Sequence, residues 1–210
     1  ADWGAPSFKI VGQGMPPMVD AGFDFYAPQS FEDVAGRRLM IGWSGCPDAK
    51  AESPTVARGW QCALTVPREL SMRGGKLCQQ PAHEIERMRG NCVRAVGGET
   101  VEEPGRLFDL VVSCEGAKMV ELEIRKGVFV RYADGMLTLD MGDEGYGRDQ
   151  RSIELSELRD LRVLSDTTMV EIFANGGEAA LTSRTYSPAV SAMGLHAEGA
   201  ASMNFYRLVH

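Results

Sequence analysis

No run of about 18 consecutive apolar residues occurs in the 210-residue chain, so no segment reads as a membrane-spanning helix. No Cys-x-x-Cys pair is present. His83, His196 and His210 stand apart from the five cysteines, Cys46, Cys62, Cys78, Cys92 and Cys114, which argues against a zinc site. An odd number of widely spaced cysteines reads as buried free thiols in a reducing compartment, and a cytoplasmic location is the expectation. There is no Gly-x-Ser-x-Gly turn, no Cys-His arrangement and no phosphate-cradling glycine loop. No cofactor and no metal is therefore expected. Basic residues are in deficit: the net charge of -7 disfavours nucleic acid, which needs a basic face. The opening residues Ala-Asp-Trp-Gly-Ala-Pro lack the basic-then-apolar pattern of a secretory leader, and the sequence does not start with Met. A fragment or a processed chain is the expectation.

What the sequence does have is strand signal, in a composition of 44% hydrophobic and 24% charged residues that is ordinary for a globular protein. Phe23–Phe31 and Arg38–Trp43 are short apolar and aromatic runs, with Ala35-Gly36 between them as a hairpin turn. Cys46–Arg58 is polar and too long for a tight turn, so it reads as a surface loop at one rim. Gln61–Leu70 supplies a third strand and Lys76–Gln80 a short one. Pro81–Arg89 reads as one or two helical turns, and residues 71–90 as a connector between two bodies. Farther on, Val120, Leu122 and Ile124 alternate with Glu121 and Glu123, the pattern of a half-buried strand. Asp134-Gly135 joins two strands as a hairpin, and Asn175-Gly176-Gly177 turns Met169–Phe173 into Ala179–Tyr186. Ile153–Leu158 is either a short helix or extended. Strands every 8 to 12 residues or so, with frequent turns, predict two packed antiparallel sheets.

Few residues offer chemistry. Asp24 and Tyr26 are two apart on a strand and share a face, opposite Phe23 and Phe25. A carboxylate and a phenol side by side suit the hydroxyls of a sugar; they also suit a solvated strand edge. Trp43 ends its strand, where an indole serves as an apolar platform for a sugar ring or as a cap on the core. Trp60 reads as packing, Arg68-Glu69 as an ion pair at a strand exit, and Arg37-Arg38 as a solvated pair at a turn. Glu171, between Val170 and Ile172, faces solvent or the other body.

Five stretches carry a likeness. They are Asp24-Phe-Tyr-Ala-Pro-Gln29, Arg38-Leu-Met-Ile-Gly-Trp43, Gly59-Trp-Gln-Cys-Ala-Leu-Thr-Val-Pro-Arg-Glu-Leu70, Leu161-Arg-Val-Leu-Ser-Asp166, and Val170-Glu-Ile-Phe173 with Asn175-Gly-Gly-Glu178 and Thr185-Tyr186. In this order they resemble the last propeller blade and the C-terminal sandwich of the glycoside hydrolase family 32 enzymes: invertases, levanases and sucrose-6-phosphate hydrolases. The form Ala-Leu-Thr-Val-Pro-Arg-Glu-Leu70 leans toward the bacterial sucrose-6-phosphate hydrolase branch. The resemblance implies an all-β chain: an incomplete β-propeller blade over residues 1–70, the connector, and an antiparallel β-sandwich over 91–210. It implies a parent enzyme that cleaves β-fructofuranosides with retention, using two close carboxyl groups. The family's catalytic motifs, Trp-Met-Asn-Asp-Pro-Asn-Gly, Arg-Asp-Pro and Glu-Cys, are absent, so the chain alone is expected to be inactive. Asp24, Trp43 and Tyr26 are the substrate contacts the resemblance implies. The expected partners are a fructose-containing saccharide, the remaining propeller blades and a second copy of the chain. Two other readings stand beside this one: a fructan-binding sandwich, and a sandwich that braces the propeller.

Overall fold

The computed structural model describes residues 18–47 and 50–209. The opening Ala1–Pro6, two residues of the rim loop (Asp48 and Ala49) and His210 lie outside them. Five strands make the first sheet: β1 (Tyr26–Glu32), β2 (Arg38–Ser44), β3 (Ala63–Leu64), β4 (Arg68–Arg73) and β5 (Lys76–Pro81). They run antiparallel in the order β1-β2-β4-β5, with β3 paired to β2. Local chemistry sets the turns. The Asp33 carboxylate accepts the N–H groups of Ala35 and Arg37 to close the β1–β2 hairpin. Gly74 and Gly75, with φ of 54° and 78°, supply the two left-handed residues of the tight β4–β5 turn. Every residue of the edge strand β1 is exposed.

The rest of the described residues form two six-stranded sheets. One has the order β12-β11-β10-β9-β16-β7 and the other β15-β14-β13-β8-β17-β6. Their ranges are β6 (Arg89–Val96), β7 (Thr100–Glu102), β8 (Phe108–Ser113), β9 (Met119–Arg125), β10 (Val128–Ala133), β11 (Met136–Asp140), β12 (Gln150–Glu154), β13 (Asp160–Ser165), β14 (Met169–Ala174), β15 (Ala179–Arg184), β16 (Ala192–Glu198) and β17 (Ser202–Leu208). Period-2 alternation sends Val120, Leu122, Ile124, Val130, Leu137 and Leu139 inward from one sheet. Phe108, Leu110, Val112, Val163, Ile172 and Phe205 meet them from the other. The all-β expectation holds, as does the pairing of two antiparallel sheets.

Several details differ from the sequence reading. Residues 71–90 are not all connector: β5 pairs along its length with β4 and belongs to the first sheet. The two-glycine turn folds the chain straight back, which leaves only the 3₁₀ turn His83–Met88 as the link. Gln61–Leu70 is not one strand. It breaks into β3 and β4 around Pro67, which has no N–H for a ladder. Residues 150–154 are extended, and β6, β7 and β16 were not read as strands. β6 and β7 are edge strands, and β6 exposes Asn91 to Arg94 in succession; β16 lies between β9 and β7. Trp60 is 45% exposed rather than packed.

Strands β14 and β15 are buried at every position. Their inner face meets the sandwich core. On the outer face Phe173 and Ala180, joined by Leu164 of β13, form a second apolar cluster with Val66 of the other body and Ile85 of the 3₁₀ turn. Just before β1, the segment from Asp20 to Asp24 lies along β15, the free edge of its sheet. Ala21 N donates to Ala180 O at 2.8 Å and Asp24 N to Thr182 O at 3.0 Å. The contact is close enough to require glycine at 22, where a Cβ would lie 2.0 Å from the Thr182 carbonyl oxygen. Gly22→Ala is therefore expected to destabilise the chain by roughly 1–3 kcal/mol through displacement of this segment. Urea unfolding at constant m-value checks it.

Candidate functional site

Of the three residues expected to touch sugar, the structure brings two together and sends the third elsewhere. Tyr26 opens β1 directly across from Trp43 of β2. Their rings meet edge to face, with centroids 6.3 Å apart and planes at 74°. Tyr26 is half exposed, and the indole lies across Gly45, where a Cβ would fall 2.6 Å from Trp43 Cε2. The pair is an open aromatic step at the end of the blade. A bulge follows Tyr26, with Ala27 left-handed at φ 43°. The strand starts at Tyr26 and its regular register only at Gln29, so the two-residue alternation does not reach back to Asp24, and the expectation that Asp24 shares the exposed face of Tyr26 fails.

Asp24 is buried instead, at the contact between the two bodies. Its Oδ1 accepts from Arg148 Nη2 at 2.9 Å and Arg184 Nε at 3.0 Å. Its Oδ2 accepts from Arg148 Nε at 2.6 Å and the Arg184 backbone N–H at 2.8 Å. Burial pushes this carboxyl up, but the two arginines outweigh it and hold the group below its ordinary value of 3.8.

A second buried charge cluster centres on Arg68 and takes in Asp20, four residues before Asp24. Arg68 of β4 is fully enclosed between the rings of Phe25 and Phe173, at 4.8 and 5.0 Å. It donates to Asp20 Oδ2 at 2.9 Å, to Glu171 Oε2 at 2.7 Å and to Gln79 Oε1 at 2.8 Å. Glu171 also accepts the Val66 N–H at 2.8 Å, and Asp20 accepts the Thr182 N–H at 2.8 Å. Burial works against the Arg68 charge, and the two carboxylates outweigh it, so the guanidinium stays protonated. Burial pushes the Glu171 carboxyl up against the pull of Arg68.

The Arg68-Glu69 pair expected from the sequence does not form. Arg68 turns inward to Glu171, and Glu69 lies 3.5 Å from Arg37 instead. Arg37 is likewise not merely solvated: it also binds Asp33 and Glu84, linking the β1–β2 hairpin to the 3₁₀ turn. Glu171 faces the other body, one of the two options its alternation left open. Asp20, Arg148, Thr182 and Arg184 were not foreseen. No local pattern marks them, because the partners that hold them at the junction lie 48 to 162 residues away in sequence.

The junction therefore holds Asp20, Asp24 and Glu171 against Arg68, Arg148 and Arg184. Asp20 and Asp24 accept the N–H groups of Thr182 and Arg184, which the edge strand would otherwise leave unpaired.

This two-body arrangement matches two sequence models from one family. Glycosyl hydrolases family 32, N-terminal domain, matches residues 2–81, and the family's C-terminal model matches residues 129–208. The chain belongs to glycosyl hydrolase family 32. Over 200 residues this family 32 chain is 34% identical to the sucrose-6-phosphate hydrolase of Salmonella typhimurium, spanning 90% of the chain and 40% of that protein. It is 33% identical over 215 residues to the sucrose-6-phosphate hydrolase of Bacillus subtilis, spanning 97% of the chain and 44% of that protein. The chain thus spans about two fifths of the length of the curated relatives it matches. The sucrose-6-phosphate hydrolase structure from Lactobacillus gasseri superposes with a TM-score of 0.76 at 23% identity, covering 90% of this chain and 42% of that one. At that identity the likeness establishes the fold.

Proposed function

We propose that this chain supplies the last propeller blade and the bracing sandwich of an enzyme that hydrolyses β-fructofuranosides with retention. Sucrose, sucrose 6-phosphate and fructans are the substrate class. The carboxylates that carry out the chemistry come from blades outside this chain. The observation that carries the reading is the match to both family models, in order, on the two bodies they describe. The missing family motifs and the commitment of Asp24 to two arginines support the second half of it.

Within this reading Tyr26 and Trp43 form an aromatic rim for the sugar, and Asp24 acts as an anchor rather than a substrate contact. The exposed β1 edge receives the preceding blade. The buried charge lattice favours a bracing sandwich over a lectin-like one, because the outer faces of β14 and β15 are already covered by the blade. Five free thiols support a reducing cytoplasmic setting.

The purified chain is expected to release no hexose from sucrose, sucrose 6-phosphate or inulin-type fructan. Adding a polypeptide that carries the preceding blades of a family 32 enzyme is expected to restore turnover. Hydrolysis by the chain alone, surviving removal of contaminants, would overturn the proposal.

A further inference from the structure

The sandwich reaches past the buried junction and takes hold of the rim loop of the blade. Residues 141–149, between β11 and β12, form a loop closed on itself: Met141 N donates to Asp149 O at 2.8 Å and Arg148 N to Gly145 O at 3.0 Å. This loop meets the rim loop at Glu52, whose N–H donates to Tyr146 O at 2.7 Å. Arg148 Nη1 donates back to Glu52 O at 3.1 Å, so both backbone groups of Glu52 are taken by the sandwich. Next to it, Arg184 Nη1 donates to Ser53 Oγ at 2.6 Å. Among the described residues, no hydrogen bond ties 50–53 to a strand of the blade.

The approach is close. Gly147 has a φ of 91°, and a Cβ there would lie 3.1 Å from Ala51 Cα and 3.4 Å from Lys50 O. Tyr146 is left-handed at φ 52°, a conformation rare for a bulky side chain, and its ring rests edge to face on Tyr186 at 5.4 Å. Arg148 serves two partners at once. Its Nε and Nη2 hold Asp24, two residues before Tyr26, while its Nη1 holds Glu52. One buried side chain thus sets the start of β1 and the rim loop against each other. The rim loop leaves β2 just after Trp43 and carries the exposed Val56 and Trp60. A loop already held in place costs a ligand less to order.

We propose, on the reading of this chain as the last blade and sandwich of a β-fructofuranosidase, that the β11–β12 loop determines saccharide affinity at the blade it touches. Tyr146, Gly147 and Arg148 are positioning residues: they hold the rim loop beside the aromatic step of Tyr26 and Trp43. On that reading the reacting carboxylates lie on other blades, so releasing the rim loop weakens saccharide binding and leaves the chemical step alone.

The test compares Gly147→Ala with Gly116→Ala. Gly116 is also left-handed, at φ 79°, but a Cβ there meets nothing within 4 Å, so it carries the backbone strain without touching the rim loop. Hydrogen exchange of the chain is read by peptide mass spectrometry. Gly147→Ala is expected to speed exchange across 50–58 by about tenfold, and Gly116→Ala to leave it unchanged. Each chain is then mixed with the preceding blades. Gly147→Ala is expected to raise KM for sucrose about fivefold with kcat within about twofold of wild type, and Gly116→Ala to change neither. Ser53→Ala removes the Arg184 contact from the rim-loop side without backbone strain. It is expected to move both readouts in the same direction, and it decides the matter if Gly147→Ala does not fold. Exchange across 50–58 that stays unchanged, or that rises equally in Gly116→Ala, overturns the grip. Faster exchange with an unchanged KM, or with the loss confined to kcat, overturns the role in affinity. A wild-type mixture without turnover overturns the proposed activity and that role with it, while the exchange result still decides the grip.

Discussion

Replacing Arg68 by alanine is expected to destabilise the chain by about 3–5 kcal/mol, among the largest losses available to one substitution here. The guanidinium has no exposed surface. Its removal leaves Asp20 and Glu171 facing each other across a dry gap, each without its main counter-charge. It also empties the space between the Phe25 and Phe173 rings. The intact pair need not contribute that much on its own. The loss measures the cost of stranding two carboxylates, and burial already pushes Glu171 up while Arg68 is present. Glu171→Gln removes one of the stranded charges, so combining it with Arg68→Ala is expected to cost clearly less than the sum of the two single losses. Denaturant unfolding of the four chains in a double-mutant cycle checks this. The position matters as well as the size, because Arg68 sits on the blade and Glu171 on the sandwich. Arg68→Ala should therefore split one cooperative transition into two and increase proteolytic cleavage around His83–Met88. Additivity across the cycle, or a single unshifted transition, would show that the junction is not held by this pair.

That junction is the part of the molecule least legible in the sequence. Alternation marks β9, and paired turn residues mark the hairpins at Asp134-Gly135 and Asn175-Gly176-Gly177, because those signals are local. Gly74-Gly75 is just as local and reads as a turn before the short strand Lys76–Gln80, but nothing in it tells a connector from a hairpin within the blade. Edge strands such as β6 escaped because exposure on both faces erases the period. The buried charges escaped for a different reason. Asp24 and Arg148, or Arg68 and Glu171, are brought together only by the docking of two bodies, and an isolated Asp before a strand looks the same whether it meets water, sugar or arginine. The aromatic step was half legible: two aromatic residues were chosen separately, and the ladder register that joins Tyr26 to Trp43 was not visible.

Asp24→Asn separates the anchoring role from the sugar-contacting one. An anchoring carboxylate lost from between Arg148 and Arg184 leaves two buried guanidinium groups sharing a neutral amide, a cost of about 3 kcal/mol near neutral pH. The pH dependence carries a definite sign. The folded-state value lies below 3.8, so the ionised form is favoured by folding. Its contribution is complete above the unfolded value of about 3.9 and is lost as the pH falls below that point through the depressed folded value. The stability gap between the wild type and Asp24→Asn is thus expected to be wide at pH 7, constant down to about pH 5, and to close progressively below about pH 4. Thermal midpoints across that range measure it. A carboxylate whose work was to hold a fructosyl hydroxyl would behave differently. Its amide variant would keep the wild-type midpoint at every pH, and the loss would appear only as weaker saccharide binding in the assembled enzyme. The five hydrogen bonds already converging on Asp24, from Arg148, Ser183 and Arg184, leave no lone pair directed at open solvent. The stability arm of this experiment is therefore the one expected to move.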